Sequence, residues 1–137
     1  SYVHTYKIEA QTNGQSLNVK SGQTGKDNLV EVPLEALLGS LTACEQSTGF
    51  FWAKKLGMKV KGFHFKAEAD FDIRAWTGQM EGSPKFSRVT LDAQVETDAP
   101  DEKVHQLVKE IHKHCLVYNM FKDSGIDVKD TWSKKQA

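Results

Sequence analysis

The stretch PLEALLGSLTACEQSTGFFWAKKL, residues 33–56, decides how this chain folds. Pro33 suits the first turn of a helix, where its fixed φ and missing N–H donor do no harm. Leu34, Leu37, Leu38, Leu41, Cys44, Thr48, Phe51 and Trp52 then recur at steps of three and four, one wide apolar stripe. The pattern predicts a helix to Leu56 with Gly57 as its left-handed C-cap. A helix this long and this apolar forms the hydrophobic spine of the fold.

Downstream the period changes to two. Phe63, Phe65, Ala67, Ala69, Phe71, Ile73 and Ala75 alternate with polar residues, which predicts a strand with one buried and one wet face. Residues 76–85, with Gly78, Gly82 and Pro84, read as a long loop. Phe86 to Thr97 alternates again through Val89, Leu91, Ala93 and Val95, so the two long strands pair antiparallel. Pro100 opens a second helix, with Asp101 and Glu102 near its positive N-terminus and a stripe of Val104, Leu107, Val108, Ile111, Cys115 and Tyr118. Asp123-Ser124-Gly125 is a turn before a last strand, Ile126 to Trp132.

Upstream, Tyr2 to Ala10 reads as a strand, Asn13-Gly14 as a tight turn and Ser16 to Lys20 as the hairpin partner. Leu29 to Val32 is a candidate short third strand. The order is β-β-(β)-α-β-β-α-β. The fold class is therefore α+β, a mostly antiparallel sheet covering a long apolar central helix.

The 137 residues fit one domain, 1–137, without repeats or linkers. Eighteen Lys+Arg balance 18 Asp+Glu. Such neutrality argues against nucleic acid as a partner, because its binders carry a basic excess. No apolar run approaches the roughly 18 residues of a membrane span. Nothing near the N-terminus reads as an export signal, so the expected compartment is a reducing cytoplasm. Cys44 and Cys115 are too few for a disulfide scaffold or a four-thiolate zinc site.

The plainer reading of both cysteines is that of small core hydrophobes on helix stripes. A redox reading needs both thiols in one cavity, with Cα atoms about 4.4–6.8 Å apart if they are to bridge. Cys44 lies too deep in its helix for the helix dipole to activate it, whereas Cys115 has His112 one turn earlier. His105 and His112 would make a helical metal site only with carboxylates at matching spacing, and none is present, so no metal is expected. Trp76, Met80 and Phe86 could line an apolar pocket.

Pro33-Leu34-Glu35-Ala36-Leu37-Leu38-Gly39-Ser40-Leu41-Thr42-Ala43-Cys44 resembles the hallmark of the OsmC/Ohr family, osmotically inducible and organic hydroperoxide resistance proteins. That hallmark runs from a Pro through Glu, apolar and small residues to a Cys deep in a central helix. The later strand pair and the second helix with His114-Cys115-Leu116-Val117 are similar too. The resemblance implies the OsmC-like fold and an intertwined homodimer with active sites at the subunit interface. It implies that Cys44 attacks an organic hydroperoxide, that Cys115 resolves the sulfenic acid as a disulfide, and that a dithiol reductant regenerates the pair. No cofactor is implied. The family's hydroperoxide reductases carry a Glu directly after the Pro and an Arg in the N-terminal hairpin. Here Leu34 follows Pro33, Glu35 is the nearest carboxylate, and the two arginines, Arg74 and Arg88, lie elsewhere. The candidate site is thus Cys44, Cys115 and Glu35.

Two functions follow. One is a thiol-dependent peroxidase acting on small organic hydroperoxides. The other is a non-catalytic dimer that binds a small apolar ligand or senses oxidants through Cys44. A hot-dog acyl-thioester enzyme shares the central helix but would want an uninterrupted run of strands after it, where Pro100 to Tyr118 places another helix.

Overall fold

The computed structural model describes residues 2–12, 17–21 and 31–137. Strands β1 (Val3–Thr12) and β2 (Leu17–Ser21) precede helix α1 (Glu31–Lys55). Strand β3 (Val60–Asp72), the short helix α2 (Ile73–Thr77) and strand β4 (Phe86–Thr97) follow. Helices α3 (Asp101–His114) and α4 (Leu116–Asp123) then lead to strand β5 (Asp127–Lys135). The strands form one five-stranded sheet in the order β2-β1-β3-β4-β5. The first three pairings are antiparallel, and β5 joins β4 in parallel, as a strand returning through a helical crossover does. The α+β class and mostly antiparallel sheet follow the alternation in the sequence.

Tyr6, Ile8 and Ala10 on β1, Phe63 to Phe71 at every second position on β3, and Val89 to Val95 likewise on β4 form the sheet's inner face. Helix α1 packs across it, flanked by α3 and α4. Full burial of Leu38 and Leu41 stabilises this contact by about 1.5–3 kcal/mol each. Gly49 is where α1 comes closest to the sheet: a Cβ there would stand 2.6 Å from the Phe63 ring. That ring has nowhere to go, held edge-on by Phe50 and Trp132 and stacked on Phe65.

Several boundaries differ from the sequence reading. Helix α1 begins at Glu31, ahead of Pro33, so Glu31 and Val32 are helical rather than part of a third strand. Leu29, Val30 and the Asn13-Gly14 turn lie outside the described residues, although Thr12 pairs with Leu17 as a hairpin requires. Strand β3 stops at Asp72, not Ala75, because Asp72 Oδ1 accepts the Arg74 backbone N–H and caps α2. Finally, the helix expected from Pro100 through Tyr118 is two helices, broken at Cys115.

The face that α1 buries is also turned from the expected stripe. Its innermost line is Leu38, Leu41, Thr42, Glu45, Gly49 and Ala53. Leu37 and Phe51, at 42% and 56% exposure, stand on an outer ridge instead.

Candidate active site

Val104, Leu107 and Ile111 bury one face of α3 at helical spacing, and Cys115 is the next position on that face. Its N–H still closes on the Ile111 carbonyl at 2.8 Å, but its own backbone turns extended, with φ −73° and ψ 113°. The chain restarts as α4 one residue later. Asn119 holds the break: its side-chain amide donates to the carbonyls of His112 at 2.9 Å and Cys115 at 2.8 Å. His114, just before the break, stacks on Trp52 of α1 with ring centroids 4.6 Å apart. The Cys115 side chain is thereby fixed, fully buried, against α1.

Cys44 projects from the middle of α1, half-buried. Cys44 and Cys115 are both free thiols, and the Cys44 side chain acts directly on Cys115. Burial pushes the Cys115 thiol up to about 12. Its contact with Cys44 and the charges of Cys44 and Glu45 push the same way, against a hydrogen bond from the Tyr118 backbone N–H. Cys115 is therefore a thiol at neutral pH, sheltered behind a more accessible partner.

A second cluster lies behind the sulfurs. Glu45 is fully buried on the inner line of α1. Asp130, on β5 between the inward-facing Val128 and Trp132, has a side chain only 2% exposed. The two carboxyl groups are within hydrogen-bonding reach, yet both Glu45 oxygens and Asp130 Oδ1 lack any donor from the rest of the chain. Two carboxylates cannot bond each other, since both only accept; a proton on one supplies the missing donor. Burial, then the bond and charge of Asp130, then the charge of Cys44 hold Glu45 well above the usual carboxyl range. The other Asp130 oxygen meets His112 Nε2 at 3.1 Å. The His112 ring stacks on Tyr118 at 4.7 Å and is partly exposed to solvent. Burial, then the negative charge of Asp130, also raise Tyr118.

The structure brings Cys44 and Cys115 together but leaves Glu35 apart. Nine positions along α1 correspond to roughly 13 Å of rise and about half a turn, so within one subunit Glu35, itself buried, points away from Cys44. The arginines are engaged elsewhere. The Arg74 guanidinium pairs with Asp72 and lies over the Tyr2 ring, and Arg88 grips Asp70 on the outer face of the sheet. An apolar cavity of about 350 Å³ opens at the start of α1, lined by Pro33, Leu34, Leu37, Phe71, Trp76 and Phe86 among others. Trp76 and Phe86 take the lining places expected of them; Met80 does not. Among the described residues no three His, Cys, Asp or Glu side chains are arranged to hold a metal ion, and no helix is long and apolar enough to cross a membrane.

Glu45 and Asp130 were overlooked in the sequence, and each left a trace there. Glu45 sits at the helical step after Leu38 and Leu41, inside the angular range of the apolar stripe. Asp130 keeps strict alternation with Val128 and Trp132, on the side of a strand that faces the core. A charged residue in phase with apolar neighbours is the signal of a buried polar site.

The family model for OsmC-like protein matches residues 31–129, which takes in α1 through the start of β5. No curated protein matches the sequence. Solved structures agree on the fold. The OsmC-like protein of Mycoplasma pneumoniae superposes with TM-score 0.65 at 15% identity, over 92% of this chain and 94% of its own. An organic hydroperoxide resistance protein of Elizabethkingia anophelis gives TM-score 0.62 at 22% identity, over 93% and 96%. That of Bacillus subtilis, OhrB, gives 0.58 at 18%, over 93% and 97%. A Cys deep in the central helix, a second Cys in contact with it from the next helical segment, and this match over most of the length lead to one assignment: the chain belongs to the OsmC-like protein family.

Proposed function

We propose that this protein is a thiol-dependent peroxidase that reduces small organic hydroperoxides. The observation that supports the reading best is the contact between a half-buried thiol, Cys44, and a fully buried one, Cys115, on separate helices. The accessible sulfur is suited to attack and the sheltered one to resolve. Cys44 as thiolate attacks a peroxide oxygen, the O–O bond breaks, and the alcohol leaves with a proton while Cys44 becomes a sulfenic acid. Cys115 then attacks Cys44, the S–O bond breaks, and water leaves a disulfide. A dithiol reductant returns both thiols.

Structural neighbours named organic hydroperoxide resistance proteins add weight to this reading. The working unit is a homodimer. Leu37 and Phe51 on the outer ridge of α1, and Leu116 and Met120 on α4, are exposed apolar side chains that a second copy would cover.

Cumene hydroperoxide turnover with a dithiol reductant tests the proposal. Cys44→Ser should reduce the rate to background, and Cys115→Ser should trap Cys44 as the sulfenic acid, visible by mass. Turnover unaffected by Cys44→Ser would refute it. A second reading, a non-catalytic dimer that holds a small apolar ligand, is favoured by the cavity beside Trp76 and Phe86. It predicts ligand-dependent quenching of Trp76 fluorescence in a protein without turnover.

A further inference from the structure

We infer that the cavity at the start of α1 binds a small aromatic carboxylate, its ring set among Phe71, Trp76 and Phe86 and its charge on Lys85. The inference deepens the reading of this cavity as an apolar-ligand site and rests on that reading, but it involves neither cysteine.

The walls come from separate elements. Leu34 and Leu37 stand on the first turns of α1, Phe71 near the end of β3 and Phe86 at the start of β4. Phe71 and Phe86 face each other in the strand register and are both buried, so this wall is rigid sheet. Ring contacts to Tyr6 and Phe121, with centroids 6.4 and 6.3 Å away, fix Phe86 further. Trp76 completes the lining from α2, and it is 59% exposed. A flat ring laid against this indole takes apolar surface out of water and gains the offset or edge-on contacts that aromatic pairs prefer. Of these residues only Leu37 also belongs to the ridge that the proposed dimer would bury.

Size narrows the choice. At the ~30 Å³ that a molecule occupies in liquid water, the 350 Å³ cavity has room for about a dozen non-hydrogen atoms. That is one aromatic ring with a short acid side chain, and it is too little for a long acyl chain.

Charge narrows it again. Among the described residues that line the cavity, Lys85 alone is charged. Among the described residues no carboxylate pairs with it. Its ammonium donates to the Ser124 carbonyl at 3.0 Å. Gly125 lies directly against it: a Cβ there would stand 3.1 Å from Nζ, and its φ of 86° suits glycine. The turn after α4 thus seats the ammonium, and one of its three donors is used there. A carboxylate can accept the other two as charge-assisted hydrogen bonds. An apolar pocket with one placed polar group is the ordinary design of a small-molecule site, the polar group fixing the ligand's orientation.

The test uses hydrocinnamate, with hydrocinnamyl alcohol keeping the ring without the charge and hexanoate keeping the charge without the ring. Each is titrated into the whole chain while nitrogen–proton NMR spectra follow the indole signal that Trp76→Phe removes. Hydrocinnamate should shift that signal and bind about threefold to fivefold more tightly than the alcohol at low salt. The advantage should shrink as salt rises. Lys85→Gln should bring the acid down to the alcohol's affinity and leave the alcohol unchanged, and Lys85→Arg should restore the preference. Trp76→Ala, at an exposed position, should weaken both aromatic ligands roughly twofold to tenfold.

Equal affinity for the acid and the alcohol overturns the inference and leaves the apolar-ligand reading in place. So does an advantage that survives Lys85→Gln, or hexanoate binding more tightly than hydrocinnamate. If none of the three compounds moves the Trp76 signal, the apolar-ligand reading falls as well.

Discussion

Glu45 shows what one side chain in an unexpected place does to the whole balance of stability. Its folded pKa lies above the unfolded value near 4.5, so the native state binds the extra proton across that interval. Stability from this group is complete below the unfolded pKa and is lost as pH rises through the folded one. The urea midpoint of the wild-type protein should therefore fall with rising pH across that interval. Glu45→Gln should flatten the fall and leave the variant more stable than wild type at neutral and mildly alkaline pH. An unchanged slope in Glu45→Gln would mean that the proton resides elsewhere. Asp70 behaves oppositely: the Arg88 guanidinium lowers it, and its small contribution, at a largely solvated site, disappears as pH falls.

Elements were legible in the sequence wherever periodicity was unmixed. Strand β4 has the bounds its alternation predicts, Phe86–Thr97, and Gly57, at φ 70°, follows α1 as expected. Two misreadings share a cause, local hydrogen bonding that overrides period. Alternation continues through Ile73 and Ala75, but the Asp72 side chain starts a helix there first. The helical stripe runs on through Cys115 and Tyr118, but the Asn119 amide bridges two carbonyls and the helix breaks. The sulfur pair was legible as a possibility, because both cysteines fell on stripes that face the same core. Glu35 was suggested by nearness in sequence to a family position, and helix geometry turns it away. Asn119→Ala removes two hydrogen bonds to carbonyls near the site and should cost about 1–3 kcal/mol in urea unfolding. It should also slow disulfide closure, since Cys115 would no longer be held at α1; unchanged closure would assign Asn119 to stability alone.

For the whole molecule, the proposed dimer would bury the outer ridge of α1 and the exposed side of α4. A pairing of standard size covers about 800 Å² on each partner. Sedimentation should give twice the 15.4 kDa chain mass. Phe51→Asp together with Leu116→Asp should shift it to the single-chain value without changing the circular dichroism spectrum, because both side chains are exposed in the isolated subunit. A wild-type protein that sediments as a single chain would refute the dimer. One further property follows from β5, which forms the edge of the sheet by parallel pairing and brings Asp130 and Trp132 to the core. Translation delivers this strand after every other part of the site. Until it emerges from the ribosome, a nascent chain has its two sulfurs but no wall behind them, with Glu45 open to water and ionised like any surface acid. The buried carboxyl cluster is thus complete only once β5 has paired with β4.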